Sequence, residues 1–404
     1  MLSKKTAAYA AVAGAAIVAL SVSVAPAQAF DPVSNGYAIV GSDTLEDAVG
    51  ALANGSNATG SGVRVTAADS STLGNFDATG SGTIITKPYG IRFQRPNGSG
   101  DGRLALEDQI AGAAYTSSYG SRDTNFNAVT LTGTPIDITR GSSGGTLGTT
   151  TINGVTVGLS RYTFGRDAVA FAYGSSVVPG ANGYIPAADW KLMLSCDATT
   201  LSNYGVTTVV IPQSGSGTRK DFLGMVAYGT DNLPTTAVGT SGTGAQACIT
   251  VGQEHDASTL TATSIMPMSA SRWIAMQNGL SYKKIAAGVQ LGSLVSGTSS
   301  VSVVGGVYKP VVAYYKNTTF GRDTYLFVDS RRVDNTLPQY DSVLAALFNY
   351  NDATSLTYQG GASFNYASMD DATNYPSFPA YTAAAVKLKY GFLPASVQDT
   401  QIAR

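Results

Sequence analysis

The chain has 404 residues, enough to bury the cores of two domains. Only 13% of them are charged and the formal net charge is −1, which argues against a nucleic-acid partner, since that role needs a basic face. One histidine and two cysteines leave no His/Cys-rich metal motif, so neither a metal nor another cofactor is expected.

Met1 to Ala29 reads as a secretory signal. Lys4 and Lys5 form the charged region, Ala7 to Val24 is apolar, and Ala27-Gln28-Ala29 supplies a small-x-small cleavage pattern, so the mature chain starts at Phe30. An uncleaved membrane anchor is the alternative; the alanine richness and the Ala-Gln-Ala exit favour cleavage. No cysteine stands near the cleavage point to carry a lipid. A secreted, extracellular and freely diffusing monomer is therefore expected.

Tyr37 to Val40 is a short apolar strand. Gly41-Ser42-Asp43-Thr44 turns, and Leu45 to Leu52 follows with helical spacing of Leu45, Ala48, Val49 and Leu52. Val63–Ala67 and Ile84–Ile85 read as strands. Asn97-Gly98-Ser99-Gly100-Asp101-Gly102 then opens a helix over Arg103–Ala114. Alternation of this kind predicts an α/β layer with a mostly parallel sheet. From Asn125 to Gly158 the chain is rich in Thr and Gly, with β runs at Thr130–Thr132, Ile136–Ile138 and Val155–Val157. This is a β-rich insertion of hairpins, about 125–160. Its Gly141–Gly145 segment has no helix after it and is expected to be a mobile turn, not a phosphate loop.

Arg166 to Tyr173 is a strong strand, and Ile185 to Leu194 a capped amphipathic helix. Gly205 to Ile211 is β-branched and apolar enough for a buried strand. Ser214-Gly215-Ser216-Gly217-Thr218 turns tightly, and Arg219 to Tyr228 continues as a helix. Strand, glycine-rich loop and helix N-terminus together suit an anion: backbone N–H groups and the positive end of the helix dipole meet there. Ser216 and Thr218 add hydroxyls and Arg219 a fixed charge. An ordinary capped connection leaves the same pattern. Three such turns, at 41–44, 97–102 and 214–218, could converge on one small oxyanion.

Cys196 and Cys248 are expected to pair in an oxidising compartment; the long loop they close would stabilise by roughly 3–4 kcal/mol. His255 sits in Gln253-Glu254-His255-Asp256 and reads as a structural or cleft residue. A helix is expected over Ser271–Asn278, strands over Val311–Tyr315 and Thr324–Val328, and helices over Asp341–Phe348 and Tyr381–Tyr390. Phe-Gly-Arg-Asp occurs twice, at Phe164–Asp167 and Phe320–Asp323.

The Gly-Ser-Asp-Thr turn, the Ser-Gly-Ser-Gly-Thr-Arg turn and the Arg166-Asp167-Ala168-Val169-Ala170 strand resemble the phosphate-binding proteins of ABC transporters. More closely, they resemble secreted actinobacterial substrate-binding-domain proteins. Ser117–Arg122, Gln253–Asp256 and Pro267-Met268-Ser269 extend the likeness over about Tyr37–Val328. The resemblance implies a type 2 periplasmic-binding-protein fold: two α/β lobes joined by a two-strand hinge. Lobe 1 would hold 30–173 and 309–404, and lobe 2 174–308. It implies ligand contacts from Ser42, Asp43 and Thr44, from Ser216, Gly217, Thr218 and Arg219, and from Ser118, with an ABC permease as possible partner. Pro212 stands where such binders carry an arginine. Asp43 and Asp123 are the nearest candidates for their proton-accepting aspartate.

Three functions are therefore in play. The first is a secreted solute-binding protein for a small oxyanion, phosphate foremost, with no catalysis. The second is a surface or matrix protein that keeps the fold without ligand binding. The third is a serine hydrolase using Ser216 and His255, which needs those two side chains within hydrogen-bond reach.

Overall fold

The apolar runs of this chain are short, and most of them find their partners in one mixed sheet. The computed structural model describes residues 33–117, 127–145, 149–152, 154–234, 238–361, 365–398 and 400–402, so residues 1–29, expected to be a secretory signal, lie outside the described residues. Asp31–Arg404 forms a single compact unit. None of the described helices is long and apolar enough to cross a membrane.

The strands of the sheet are β1 Tyr37–Gly41, β2 Leu73–Asn75, β3 Ile138–Gly141, β4 Thr149–Ile152, β5 Val155–Tyr173 and β6 Thr208–Pro212. They continue with β7 Ile249–Gly252, β8 Ser264–Ser269, β9 Gln290–Gly292, β10 Gly321–Asp329 and β11 Thr400–Ile402. Their order is β7-β6-β8-β5-β10-β3-β1-β2, with β4, β9 and β11 also pairing with β5. Pairs β1–β2, β1–β3, β6–β7 and β6–β8 are parallel, whereas β8–β5, β5–β10 and β10–β3 are antiparallel. Two parallel α/β halves are thus joined through a central antiparallel crossing of β5 and β10. This is the α/β class with a two-strand connection that the sequence implies.

Apolar packing follows the same division. Tyr37, Ile39, Leu45, Leu52, Tyr162 and Leu326 share one core with Leu344, Val386 and Phe392 from the C-terminal part. Phe171, Trp190, Val209, Ile211, Phe222 and Ile265 share another. There Trp190 meets Phe171 and Phe222 edge to face at 5.2 and 4.7 Å between ring centres. The helices that matter for the site are α1 Glu46–Asn54, α2 Ser99–Ala111, α3 Ala187–Leu194, α4 Ala198–Tyr204, α5 Gly217–Met225 and α6 Ala270–Gln277.

Several expectations need correction. Val63–Ala67 is not a strand: Val63 makes an isolated bridge to Ser56, and Val65 bonds back to Leu52 under α1. Beside β1, on the side away from β3, the parallel neighbour is Leu73–Asn75. Thr83–Ile84 pairs only with Phe93–Gln94, in a small separate hairpin. Val312–Tyr315 is a helical turn despite its β-branched start, because it lets the hydroxyls of Tyr314 and Tyr315 reach the carbonyls of Val169 and Gly391, both at 2.9 Å. Helix α2 begins at Ser99, earlier than its apolar spacing suggests, since Gly98 adopts φ +105° and releases the chain into the first turn.

Cys196 and Cys248 form the expected disulfide, with Cα atoms 5.7 Å apart across a sequence separation of 52. It ties the end of α3 to the start of β7. Replacing both by alanine is expected to lower the free energy of urea unfolding by roughly 3–4 kcal/mol while the far-ultraviolet spectrum stays native. A loss under about 1 kcal/mol would mean that the loop is already held by its packing.

Candidate functional site

The three Ser/Gly turns do converge, and glycines let them approach. A Cβ on Gly98 would lie 2.7 Å from the Gly215 carbonyl oxygen, and Gly100 N–H donates to that same oxygen at 3.1 Å. A Cβ on Gly217 would lie 2.2 Å from Ser142 Oγ and 2.6 Å from Ser99 Oγ. A Cβ on Gly102 would lie 2.8 Å from the Cα of Gly41. Ser216 caps α5, accepting Arg219 N–H at 3.0 Å. Gln213 and Gln253 both donate to Asn97 Oδ1, at 2.9 and 3.1 Å, locking the 97–102 turn against the ends of β6 and β7.

Behind the turns lies a largely buried polar knot. Thr44 Oγ1 and Thr218 Oγ1 lie 3.1 and 3.3 Å from His255 Nε2. Arg322 of β10 donates to Thr218 Oγ1 at 2.8 Å and to Asp167 and Asp221 at 2.9 and 2.8 Å. Lys283 donates to Asp43 Oδ2 at 2.8 Å. Glu254 Oε1 accepts Thr218 N–H at 3.3 Å, so a protein carboxyl group already sits at the amide end of α5. Ser269 N–H points at His255 Nδ1 from 3.3 Å, which makes Nδ1 the acceptor and places the ring proton on Nε2.

Burial sets the charge states here. It pushes Glu254 up to about 8, with Asp43 adding to the rise. His255 is held well below its ordinary value by burial and by the neighbouring cations Arg272, Lys283 and Arg322, so its ring is neutral. It also carries φ +57°, a left-handed conformation that costs a non-glycine residue roughly 1–3 kcal/mol. One oxygen each of Asp43 and Glu254 and one ring nitrogen of His255 lie within 4.8 Å of one another, the geometry in which a metal could be held.

In front of the knot, the turns line a pocket of about 400 Å³. Its walls are Ser99 and Gly100 at the start of α2 and Ser214–Gly217 at the start of α5, with Arg103, Arg219 and Lys220 as its cationic residues and Asp231 as a carboxylate paired to Arg219. Arg103 Nε is buried and has no hydrogen-bond partner.

Of the residues expected from the sequence, Ser42, Asp43, Thr44, Ser216, Gly217 and Thr218 come together. The Arg219 guanidinium lines the pocket, but its hydrogen bonds go to Asp231 and to the carbonyls of Pro212, Leu233 and Pro234. Its charge serves the β6 end and the 231–234 loop. Ser118 and Asp123 lie outside the described residues. The 141–145 segment was expected to be a mobile turn and not a phosphate loop; the structure packs it against the site. Ser142 is fully buried, its N–H donates to Ser99 Oγ at 3.0 Å, and Ser143 and Gly145 line the pocket. Strand β3 delivers this segment beside α2, a long-range pairing that no local pattern announces. Glu254, Lys283, Asp167 and Arg322 were also missed as partners; only the repeated Phe-Gly-Arg-Asp motif pointed at the last two. The hydrolase pairing is absent from the contacts described: His255 meets Thr44, Thr218 and Ser269, while Ser216 Oγ is engaged as a cap.

No protein-family model matches the chain, and no curated protein does. Among solved structures it is similar to an ABC-type phosphate transport receptor from Vibrio cholerae, at 11% identity and TM-score 0.38, covering 76% of this chain and 93% of the other. It is also similar to a phosphate ABC transporter substrate-binding protein from Clostridium perfringens, at 13% identity and TM-score 0.39, covering 77% and 91%. A high-affinity periplasmic phosphate-binding protein, PfluDING, aligns at 13% identity and TM-score 0.40, covering 89% and 90%.

Substituting Arg322 tests how the knot is held. Arg322→Ala strands Asp167 and Asp221 in a buried setting, so the free energy of urea unfolding is expected to fall by about 3–5 kcal/mol. Adding Asp167→Asn should return part of that loss. A cost near zero would show that the carboxyl groups are satisfied without the guanidinium.

Proposed function

We propose that this is a secreted solute-binding protein that takes a small oxyanion, inorganic phosphate first, in the pocket between the N-termini of α2 and α5. The observation that carries the reading is the pocket itself. Two helix starts and the residues Ser99, Ser143, Ser214 and Ser216 line it, and Arg103 and Lys220 add positive charge. Helix dipoles, hydroxyl donors and cationic side chains are the complement of an anion.

The knot behind it suits an oxyanion poorly. Its cations are already paired with carboxylates, and Glu254 already meets the Thr218 amide. A second anion there would add repulsion in a low-dielectric interior. The anion therefore belongs in front, on the serine and glycine side of the turns, where Ser216 and Gly217 line the pocket.

One observation favours the reading without ligand binding. The turns already hydrogen-bond each other across the site, through Asn97 with Gln213 and Gln253 and through Thr44, His255 and Thr218. A protein that needs no ligand to join these parts could serve as a surface or matrix component on the same scaffold.

A thermal-shift titration separates the two. Phosphate should raise the Tm of the mature protein in a saturable way that a neutral salt does not reproduce. Arg103→Ala with Lys220→Ala should weaken the apparent affinity at least about tenfold, the loss of one charge-assisted contact or more. Absence of any shift with phosphate or sulfate would overturn the binding reading in favour of the second.

A further inference from the structure

Asp43 Oδ1 and Glu254 Oε2 are buried and have no hydrogen-bond partner, in residues that are 1% and 0% exposed. An unpaired buried carboxylate oxygen is costly and calls for a counterpart. Lys283 meets Asp43 through Oδ2 and leaves Oδ1 unmet. Thr218 N–H meets Glu254 through Oε1 and leaves Oε2 unmet. Both side chains face the same ring nitrogen: His255 Nε2 is 3.5 Å from Asp43 Oδ1 and 3.4 Å from Glu254 Oε1.

These separations carry geometric information. Ligand atoms arranged tetrahedrally at about 2.1 Å from a zinc ion lie about 3.4 Å from one another. The hydroxyl oxygen of Thr44, at 3.1 Å from the same nitrogen, is placed to complete such a shell as the fourth ligand. Charge points the same way. The carboxyl groups gathered here, those of Asp43, Glu46, Asp47, Asp167, Asp221 and Glu254, outnumber the cations Arg140, Arg272, Lys283 and Arg322. Three of these cations are bound to carboxylates, Arg322 to Asp167 and Asp221, Arg272 to Glu46 and Asp47, and Lys283 to Asp43 Oδ2, and Arg140 donates to Asn75 and to the carbonyls of Gly41, Ser42 and Phe76. A strained backbone at His255 (φ +57°) presents the imidazole to this place.

We infer that Asp43, Glu254 and His255 form a binding site for one first-row divalent cation, with zinc the best geometric match. The ion bridges the turn after β1 to the turn after β7 and supplies the partner that Asp43 Oδ1 lacks. Coordination uses the Nε2 lone pair, so the ring proton moves to Nδ1 and the 3.3 Å contact from Ser269 N–H is given up. Carboxylate and imidazole together suit zinc or manganese better than calcium. The site is separate from the anion pocket and does not rest on phosphate binding.

The test uses mature protein without a histidine tag in phosphate-free buffer. After loading with Zn²⁺ and dialysis against metal-free buffer, elemental analysis should find one zinc per chain. Its X-ray absorption should show nitrogen and oxygen neighbours at about 2.0–2.1 Å and no sulfur. Zinc should raise the Tm and EDTA should reverse the rise. Glu254→Gln and His255→Gln should each weaken zinc at least tenfold, whereas Asp256→Asn, in the same turn, should leave it unchanged. The inference is overturned if the unaltered protein retains no zinc, or if folded Glu254→Gln and His255→Gln variants retain it as the parent does. It is overturned equally by a sulfur ligand or by tighter binding of Ca²⁺ than of Zn²⁺. Should either variant fail to fold, stoichiometry and absorption on the unaltered protein decide the matter.

Discussion

Everything at the centre of this molecule hangs on two crossed ion pairs between β5 and β10. Each strand carries Phe-Gly-Arg-Asp, and the antiparallel register sets Arg166 opposite Asp323 and Asp167 opposite Arg322. Each arginine therefore meets the other strand's aspartate, at 3.0 and 2.9 Å. A slip of one residue would turn these side chains to opposite faces and leave four charges unpaired inside the protein. Buried pairs of this kind contribute little net stability, because desolvation offsets most of their attraction. Their effect here is on register. They fix where two long strands cross, and the crossing sets where the parallel halves stand.

From that crossing the site is assembled outward. Asp167 uses its second oxygen to accept Ser269 Oγ and Ser271 N–H, holding the start of α6. Arg322 reaches past Asp167 to Asp221 on α5 and to Thr218 at the helix start. The 214–218 turn is thereby placed against the 97–102 turn, with glycines at 98, 102 and 217 where any side chain would collide. Two chemically different places result, back to back. One faces outward, with hydroxyls, helix N-termini and positive side chains around open volume. The other faces inward, and there carboxyl groups outnumber the cations around them.

Much of the organisation was legible in residue patterns. The strand–turn–helix units at 37–52 and 208–225 show in apolar spacing followed by Ser/Gly turns, because a helix start needs caps and a tight turn needs glycine. The cysteine pair was legible from number and compartment alone. Where local pattern failed, tertiary packing had overruled it. Val312–Tyr315 has a strand-like composition and coils because two tyrosine hydroxyls find buried carbonyls. Val63–Ala67 alternates like a strand and instead packs beneath α1. Arg219 follows the glycine turn as an anion ligand would, yet Asp231 lies near enough to claim it.

What the sequence determined by itself is the set of local units: which stretches extend, which coil, and which turns open a helix onto backbone donors. Those follow from side-chain periodicity, capping and glycine's conformational range, all properties of a few consecutive residues. Only the tertiary structure decided that Ser142 would join Ser99 and Gly217, that Glu254 would face Asp43, and that Arg322 would stand between Asp167, Asp221 and Thr218. Those partners come from distant parts of the chain and meet through strand register and helix packing. Burial then gives each meeting its meaning. A carboxyl group or imidazole has one character in water and another when every neighbour is protein, and no stretch of sequence states which neighbours those will be.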